Sequence, residues 1–410
     1  MATRASLFLG LLATIFLLTA GIRGVASARM DPYGVIAHEW GTFTSVAGAD
    51  GRAADWLPLG GPADLPCFVE RYTNRSVLKG LPPHVTTLTY EAARARLWGK
   101  VRMETPVLYF YSPKGGSADV RIAFPRGLMT EWYPKATVTQ HDVTQGTLRI
   151  RGQVSAIEWR DVKIRPQSRP DFPTEPGESH YYAARDTDAA PLSVAGQHEK
   201  FLFYRGVGDF DVPISAEPAG NGAVRIRNLG TRELRGVILF QNIGGHLSYR
   251  VHGTLKDEAT IAAPMDTAEP AAIRADLERI LAAAGLYPKE ARAMVTTWRD
   301  AWFEEGVRVF YVLAPKDVDA ILPLTIDPAP VQIARVFVGR MEVITPEVVR
   351  SVRTSVVSND AAALARHARF LGPITERLLA TGVTDAEKAR ITAVTNAALT
   401  AYAGRPAPCR

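Results

Sequence analysis

The chain has 410 residues, 47% of them hydrophobic and 22% charged. This excludes a disordered, collagen-like or multi-spanning membrane protein and leaves room for one large domain or two to three ordinary ones. Lys and Arg number 48 against 42 Asp and Glu, a formal charge of +6, and because the basic residues are scattered rather than gathered, nucleic-acid binding has no support.

The first thirty residues read as a leader. Arg4 supplies a positive start, residues 7–20 form an apolar stretch, and Ala26-Ser27-Ala28 fits the cleavage pattern of small residues. Residues 1–28 are therefore expected to be a signal peptide removed after Ala28. The apolar run is shorter than the roughly 20 residues a spanning helix needs, and Arg23 blocks its extension. The expected product is periplasmic or secreted, with no stable membrane span. Cys67 and Cys409 are the two cysteines; outside the cytoplasm they form a disulfide if their Cα atoms come within about 7 Å, and stand as two lone thiols otherwise. Neither has zinc-site spacing, and no cofactor is expected.

Residues 29–260 are expected to form a β-rich domain of antiparallel, sandwich-like sheets, because short β-branched and aromatic runs alternate with Gly, Pro, Asn and Asp. Residues 107–111 and 119–124 flank Ser112-Pro113-Lys114-Gly115-Gly116 and read as a hairpin. A Pro-rich loop is expected at 165–177. Around 257–270 the hydrophobic period changes from two to about 3.6, so a boundary is drawn there, with residues 261–410 forming an α+β domain that ends in helices. Pro288 is placed at the start of a helix whose buried stripe carries Met294, Val295, Trp298 and Trp302. Strands are expected at 307–313 and 333–343. Thr345-Pro346-Glu347 caps one helix, and Thr384 with Glu387 has capping-box spacing for the last. The fold class is α+β.

The common phosphate-loop, dinucleotide, zinc-protease and serine-hydrolase motifs are absent from the sequence. Chemistry must come from elsewhere. Residues 38–45 read HEWGTFTS; as a strand they place His38, Trp40, Thr42 and Thr44 on one face and Glu39, Gly41, Phe43 and Ser45 on the other, which separates His38 from Glu39. His38 is a candidate metal ligand or base and Glu39 a candidate catalytic carboxylate. Glu-Trp pairs recur at 39–40, 131–132 and 158–159, where an indole can desolvate a carboxylate, although strand alternation alone produces the same pattern. Glu304 and Glu305, after Trp302 and Phe303, would close a helix at its negative end, against the dipole, and are further candidates unless Arg299 or Arg308 pairs with them. His180, Tyr181, Tyr182 and Arg185 follow the Pro-rich loop and are candidate ligand-binding residues, with His180 a second candidate metal ligand.

The phrases HEWGTFT (38–44), ETPVLYFYS (104–112), TEWYP (130–134), HYYAAR (180–185), KFLFYRG (200–206) and WFEEG (302–306) resemble those of an uncharacterised family of exported bacterial proteins. The resemblance implies bacterial export and a shared fold. It carries no catalytic residue across. The reading preferred from sequence is a binding or structural protein of the cell envelope, with an envelope polymer or protein as partner. Its rival is an extracytoplasmic hydrolase that uses Glu39, Glu304 or Glu305 with His38 or His180.

Overall fold

The structure, a computed structural model, describes residues 34–61, 64–72, 96–141, 149–177 and 179–403. The expected signal peptide and Cys409 lie outside the described residues. In chain order the first strands are β1 (Ile36–Val46), β2 (Glu70–Arg71), β3 (Val101–Tyr111), β4 (Gly116–Phe124), β5 (Gly127–Tyr133), β6 (Thr137–Gln140) and β7 (Ser155–Ile164). A 3-10 helix at His180–Arg185 precedes β8 (Leu192–Val194), β9 (Gln197–Glu199), β10 (Leu202–Gly208), β11 (Ile214–Pro218) and β12 (Val224–Asn228). Then come β13 (Leu234–Ile243), β14 (His246–Leu255), β15 (Glu258–Ile261), α1 (Pro270–Ala283) and α2 (Pro288–Thr297). The remainder is β16 (Gly306–Val312), α3 (Pro315–Ile321), β17 (Leu324–Asp327), β18 (Gln332–Glu342), α4 (Pro346–Ser358), α5 (Ala361–Arg366), α6 (Leu371–Leu379) and α7 (Asp385–Ala403).

These elements make an α+β fold. A nine-stranded sheet runs β14-β13-β16-β18-β1-β3-β10-β5-β2, beside a six-stranded sheet built on β4 and β7 and a three-stranded sheet of β11, β12 and β15. One face of the large sheet shares a core with the two smaller ones, through Phe43, Leu108, Ile122, Trp159, Ile226 and Phe337. The opposite face buries Trp40, Tyr109 and Val336 against α1 and α2, represented by Leu277, Leu281 and Met294, and against Trp298 just past the end of α2. A third core joins Val46 and Trp56 to the C-terminal helices through Val352, Phe370, Leu378 and Ile391. No helix among the described residues is long and apolar enough to cross a membrane.

Two expectations change. The composition shift near 257–270 marks a change of period but does not divide the sheet, because β1 pairs with β18, in parallel, and β13 pairs with β16. A parallel neighbour needs a long crossover, so it is drawn from far along the chain. The hairpin expected between β3 and β4 does not form. Both sides of β3 are taken by β1 and β10, and both sides of β4 by β7 and β17, so the turn hands the chain from one sheet to the other. The helix caps follow the sequence reading: Thr345 accepts the Val348 N–H at 3.3 Å, and Thr384 and Glu387 exchange bonds at 3.0 and 3.3 Å.

Gly339 in β18 shows how tightly the central strands fit. Tyr311 of β16 is its cross-strand partner, and a Cβ at Gly339 would fall 2.0 Å from Tyr311 Cζ. We predict that Gly339→Ala destabilises the protein by at least about 2 kcal/mol through overpacking, measured as a lower urea midpoint with unchanged slope. An unchanged midpoint would show that the ring is free to move aside.

Candidate functional site

Strand β1 separates its two candidates as the alternation requires. His38 faces the helical layer, where its Nδ1–H donates to Glu290 Oε2 at 2.8 Å. Glu290, in the first turn of α2, also accepts from the Tyr111 hydroxyl at 2.7 Å and from the Tyr287 N–H at 2.7 Å. The His38 ring lies against Tyr287, with centroids 4.5 Å apart, and meets Tyr111 edge-on at 5.4 Å. His38 and Glu290 are both fully buried, and His38 Nε2 has no hydrogen-bond partner among the described residues. A carboxylate at Nδ1 that leaves Nε2 unpartnered is the arrangement that orients an imidazole.

This buried pair backs a depression of about 370 Å³ lined by Tyr111, Asp188, Tyr287, Pro288 and Lys289. Tyr287 is 40% exposed, so one phenol faces solvent while its neighbours are held from behind. Lys289 Nζ donates to Asp188 Oδ1 at 2.6 Å across the rim. Burial holds the pKa of nearby Lys200 below its ordinary value, and although the Asp188 carboxylate opposes this, the Lys289 cation adds to it. Burial, followed by the Glu290 carboxyl, pushes the Tyr111 hydroxyl far above its ordinary range, so it stays a neutral donor.

Glu39 points the other way and is occupied. Arg335 Nε donates to its Oε2 at 2.6 Å and the Tyr204 hydroxyl to its Oε1 at 2.5 Å. Arg335 also bonds Asp319 and the Leu322 carbonyl, each at 2.8 Å. Both carboxylate oxygens are thus held by fixed donors, and Glu39 and His38 share no opening.

Glu304 and Glu305 do not close a helix. Helix α2 ends at Thr297, and Trp298 already has non-helical backbone at φ −105°. The dipole argument therefore lapses: the two indoles are buried in the turn after the helix, not along its stripe. Glu304 pairs with Arg340 and, at 3.1 Å, with Arg369, rather than with Arg299 or Arg308. Glu305 Oε1 accepts the Gly244 N–H at 2.7 Å. Around Glu304 extends a buried network: Arg369 reaches Glu104 at 3.2 Å, Arg102 lies 3.9 Å from Glu104, and Arg308 donates to Glu342 at 2.9 Å. Burial opposes ionisation of Glu104, but Arg102, Arg369 and Arg340 together overcome it and hold its pKa below the ordinary 4.5. At Glu342 burial wins over Arg308 and Arg340, and the pKa is raised.

The 3-10 helix residues serve the Pro-rich loop. Arg185 forks onto Glu199 at 2.6 Å and onto the Pro173 carbonyl at 2.8 Å, and its guanidinium lies over Phe172, Tyr181 and Tyr182. The Tyr181 hydroxyl donates to Glu199 at 2.9 Å, and Tyr182 Oη accepts the Glu175 N–H at 3.0 Å. His180 is in reach of Asp300 at 3.3 Å, apart from His38. The other two carboxylates beside tryptophans are dispersed as well: Glu131 accepts from Thr130, and Glu158 pairs with Arg160 at 3.0 Å. Cys67 is disulfide-bonded. Among the described residues, no group of three or more His, Cys, Asp and Glu could hold a metal ion.

Of the sequence candidates, His38 alone stands behind the depression. Glu290, Tyr287 and Lys289 carry no sequence signal that singles them out as site residues, whereas Asp188 ends the stretch of polar residues that follows the Pro-rich loop. The available signal was Glu290 at the third position after the chain enters α2 through Pro288, a capping position that gives no hint of a histidine 252 residues away.

No protein-family model and no curated protein matches the sequence. Among solved structures, the Fcho1 Mu homology domain from Danio rerio with bound Eps15 peptide is similar over 77% of this chain and 98% of that chain, at 8% identity and a TM-score of 0.27. Similarity at this level carries no argument about function.

The network makes a pH prediction. A carboxylate whose folded pKa lies below its unfolded value stabilises the fold above about pH 4.5 and loses that contribution as pH falls through the folded pKa. Glu104→Gln should therefore lower stability at pH 7 by about 3–5 kcal/mol, since it leaves buried guanidinium groups short of a partner. The loss should shrink as pH falls below about 4.5 in chemical denaturation, as protonation weakens the native protein as well. Parallel stability curves for the two proteins would contradict this.

Proposed function

We propose that the protein acts outside the bacterial cytoplasm, periplasmic or secreted, as a binding protein of the cell envelope, and that the Tyr111–Tyr287 depression takes a saccharide unit of a polar envelope polymer. The observation that carries the reading is an exposed phenol face backed by a fixed, buried polar cluster and rimmed by one paired acid and amine. Sugar rings offer apolar C–H faces to an aromatic surface and hydroxyls to charged side chains, and this depression supplies both partners. The leader pattern in the sequence supports export.

The hydrolase reading needs a carboxylate and a histidine converging on one opening. Glu39, Glu304, Glu305, His38 and His180 instead occupy separate surroundings, and all three carboxylates are engaged with internal donors. The carboxylate that does meet His38, Glu290, is fully buried with it behind the depression rather than open to it, which favours binding.

Titration calorimetry of the purified mature protein with soluble peptidoglycan fragments and envelope polysaccharides is expected to give saturable binding to at least one. Tyr287→Ala should weaken it at least about tenfold, a loss of roughly 1.4 kcal/mol, while the thermal midpoint stays put. Binding that survives this substitution would place the ligand elsewhere. For export, mass spectrometry of protein recovered from the extracytoplasmic fraction should find an N-terminus at Arg29; an intact leader on cytosolic protein would refute that placement.

A further inference from the structure

We infer that the groove between α4 and α6 is a binding site for a medium-chain carboxylate amphiphile, a fatty-acid anion, separate from the Tyr111–Tyr287 depression. The groove encloses about 330 Å³. Its floor is apolar: Ile344 at the exit from β18, Val349 on α4 and Leu378 on α6, with Pro218 at the end of β11 as one wall. Its rim is cationic, with Arg350 and Arg353 from α4 and Arg377 from α6; Thr381 stands beside them with its hydroxyl donating to the Leu378 carbonyl at 2.7 Å.

The charges favour an anionic head. Arg350 pairs with Glu347 at 3.0 Å and Arg353 with Glu387 at 2.9 Å, both on the surface. Such exposed pairs contribute little and rearrange readily. Arg377 makes no ion pair with the described residues. Glu376 is its acidic neighbour in sequence, but one position apart on a helix the two side chains do not face each other. One guanidinium fork is therefore left to meet a carboxylate in bidentate fashion. The apolar floor beneath it removes an acyl chain from water, which a headgroup alone would not do. An apolar slot under a cationic rim matches both halves of a fatty-acid anion.

The test compares decanoate, decyl glucoside and decyl phosphate by calorimetry and by NMR chemical-shift mapping on the purified mature protein. Saturable decanoate binding is expected, with shifts confined to α4, α6 and the flanking groove residues Pro218, Ile344 and Thr381. Arg377→Gln should weaken it at least about tenfold, and Val349→Gln, which leaves the cations in place, should weaken it comparably. Equal affinity for decyl glucoside would overturn the proposal by showing a slot that ignores charge. Tighter binding of decyl phosphate would overturn the carboxylate assignment. Absence of saturation, or shifts mapping elsewhere on the wild-type protein, would overturn the site itself, even if a variant fails to fold.

Discussion

The structure depends on a buried contact between Glu39 and Arg335, residues that face each other across the parallel pair of β1 and β18. Tyr204 closes the second carboxylate oxygen, and Asp319 with the Leu322 carbonyl holds the guanidinium from outside. An isolated pair of buried charges gains little over apolar residues of the same size, because desolvation consumes most of the attraction. Its value here is positional. Sliding β1 by one residue would turn Glu39 toward the helices and His38 toward the sandwich core, leaving both without partners. The pair therefore locks the register on which the His38–Glu290 contact, and with it the backing of the Tyr111–Tyr287 depression, is built.

The arginine-rich network does for the C-terminal helices what this pair does for the sheet. Arg369 lies in the turn between α5 and α6 and touches Glu104 of β3 and Glu304 of the turn before β16. Three parts of the chain far apart in sequence thus meet on one guanidinium. Val46 and Trp56 supply the apolar contact beside it. Apolar packing alone would allow the helices several orientations on the sheet, whereas forked, buried hydrogen bonds accept few.

What the sequence made legible follows from the range of the forces involved. Strand alternation, the caps at Thr345 and Thr384, and the loop at 165–177 are local properties of neighbouring residues, and they hold in the structure. The absence of a β3–β4 hairpin is not legible because a Gly-rich turn looks the same whether it joins partners or hands the chain to another sheet. The helix before Glu304 and Glu305 ends at Thr297, out of sight of the sequence, since two tryptophans continue a helical period while being buried in a turn. The candidate site was the least legible. His38 could be placed on a face, but Glu290, which fixes it, comes from a helix whose docking is decided by packing, and no spacing in the sequence connects them.

The placement of β1 and β18 side by side at the centre of the large sheet bears on the order in which the protein takes shape. During synthesis β1 is among the earliest strands to emerge, yet one of its two neighbours is completed only at Glu342. Until then β1 has an open edge, and the charge on Glu39 has no guanidinium across from it. Contacts this distant in sequence close late and slowly. The middle of the sheet therefore cannot be completed until most of the chain exists, however early its other strands are made.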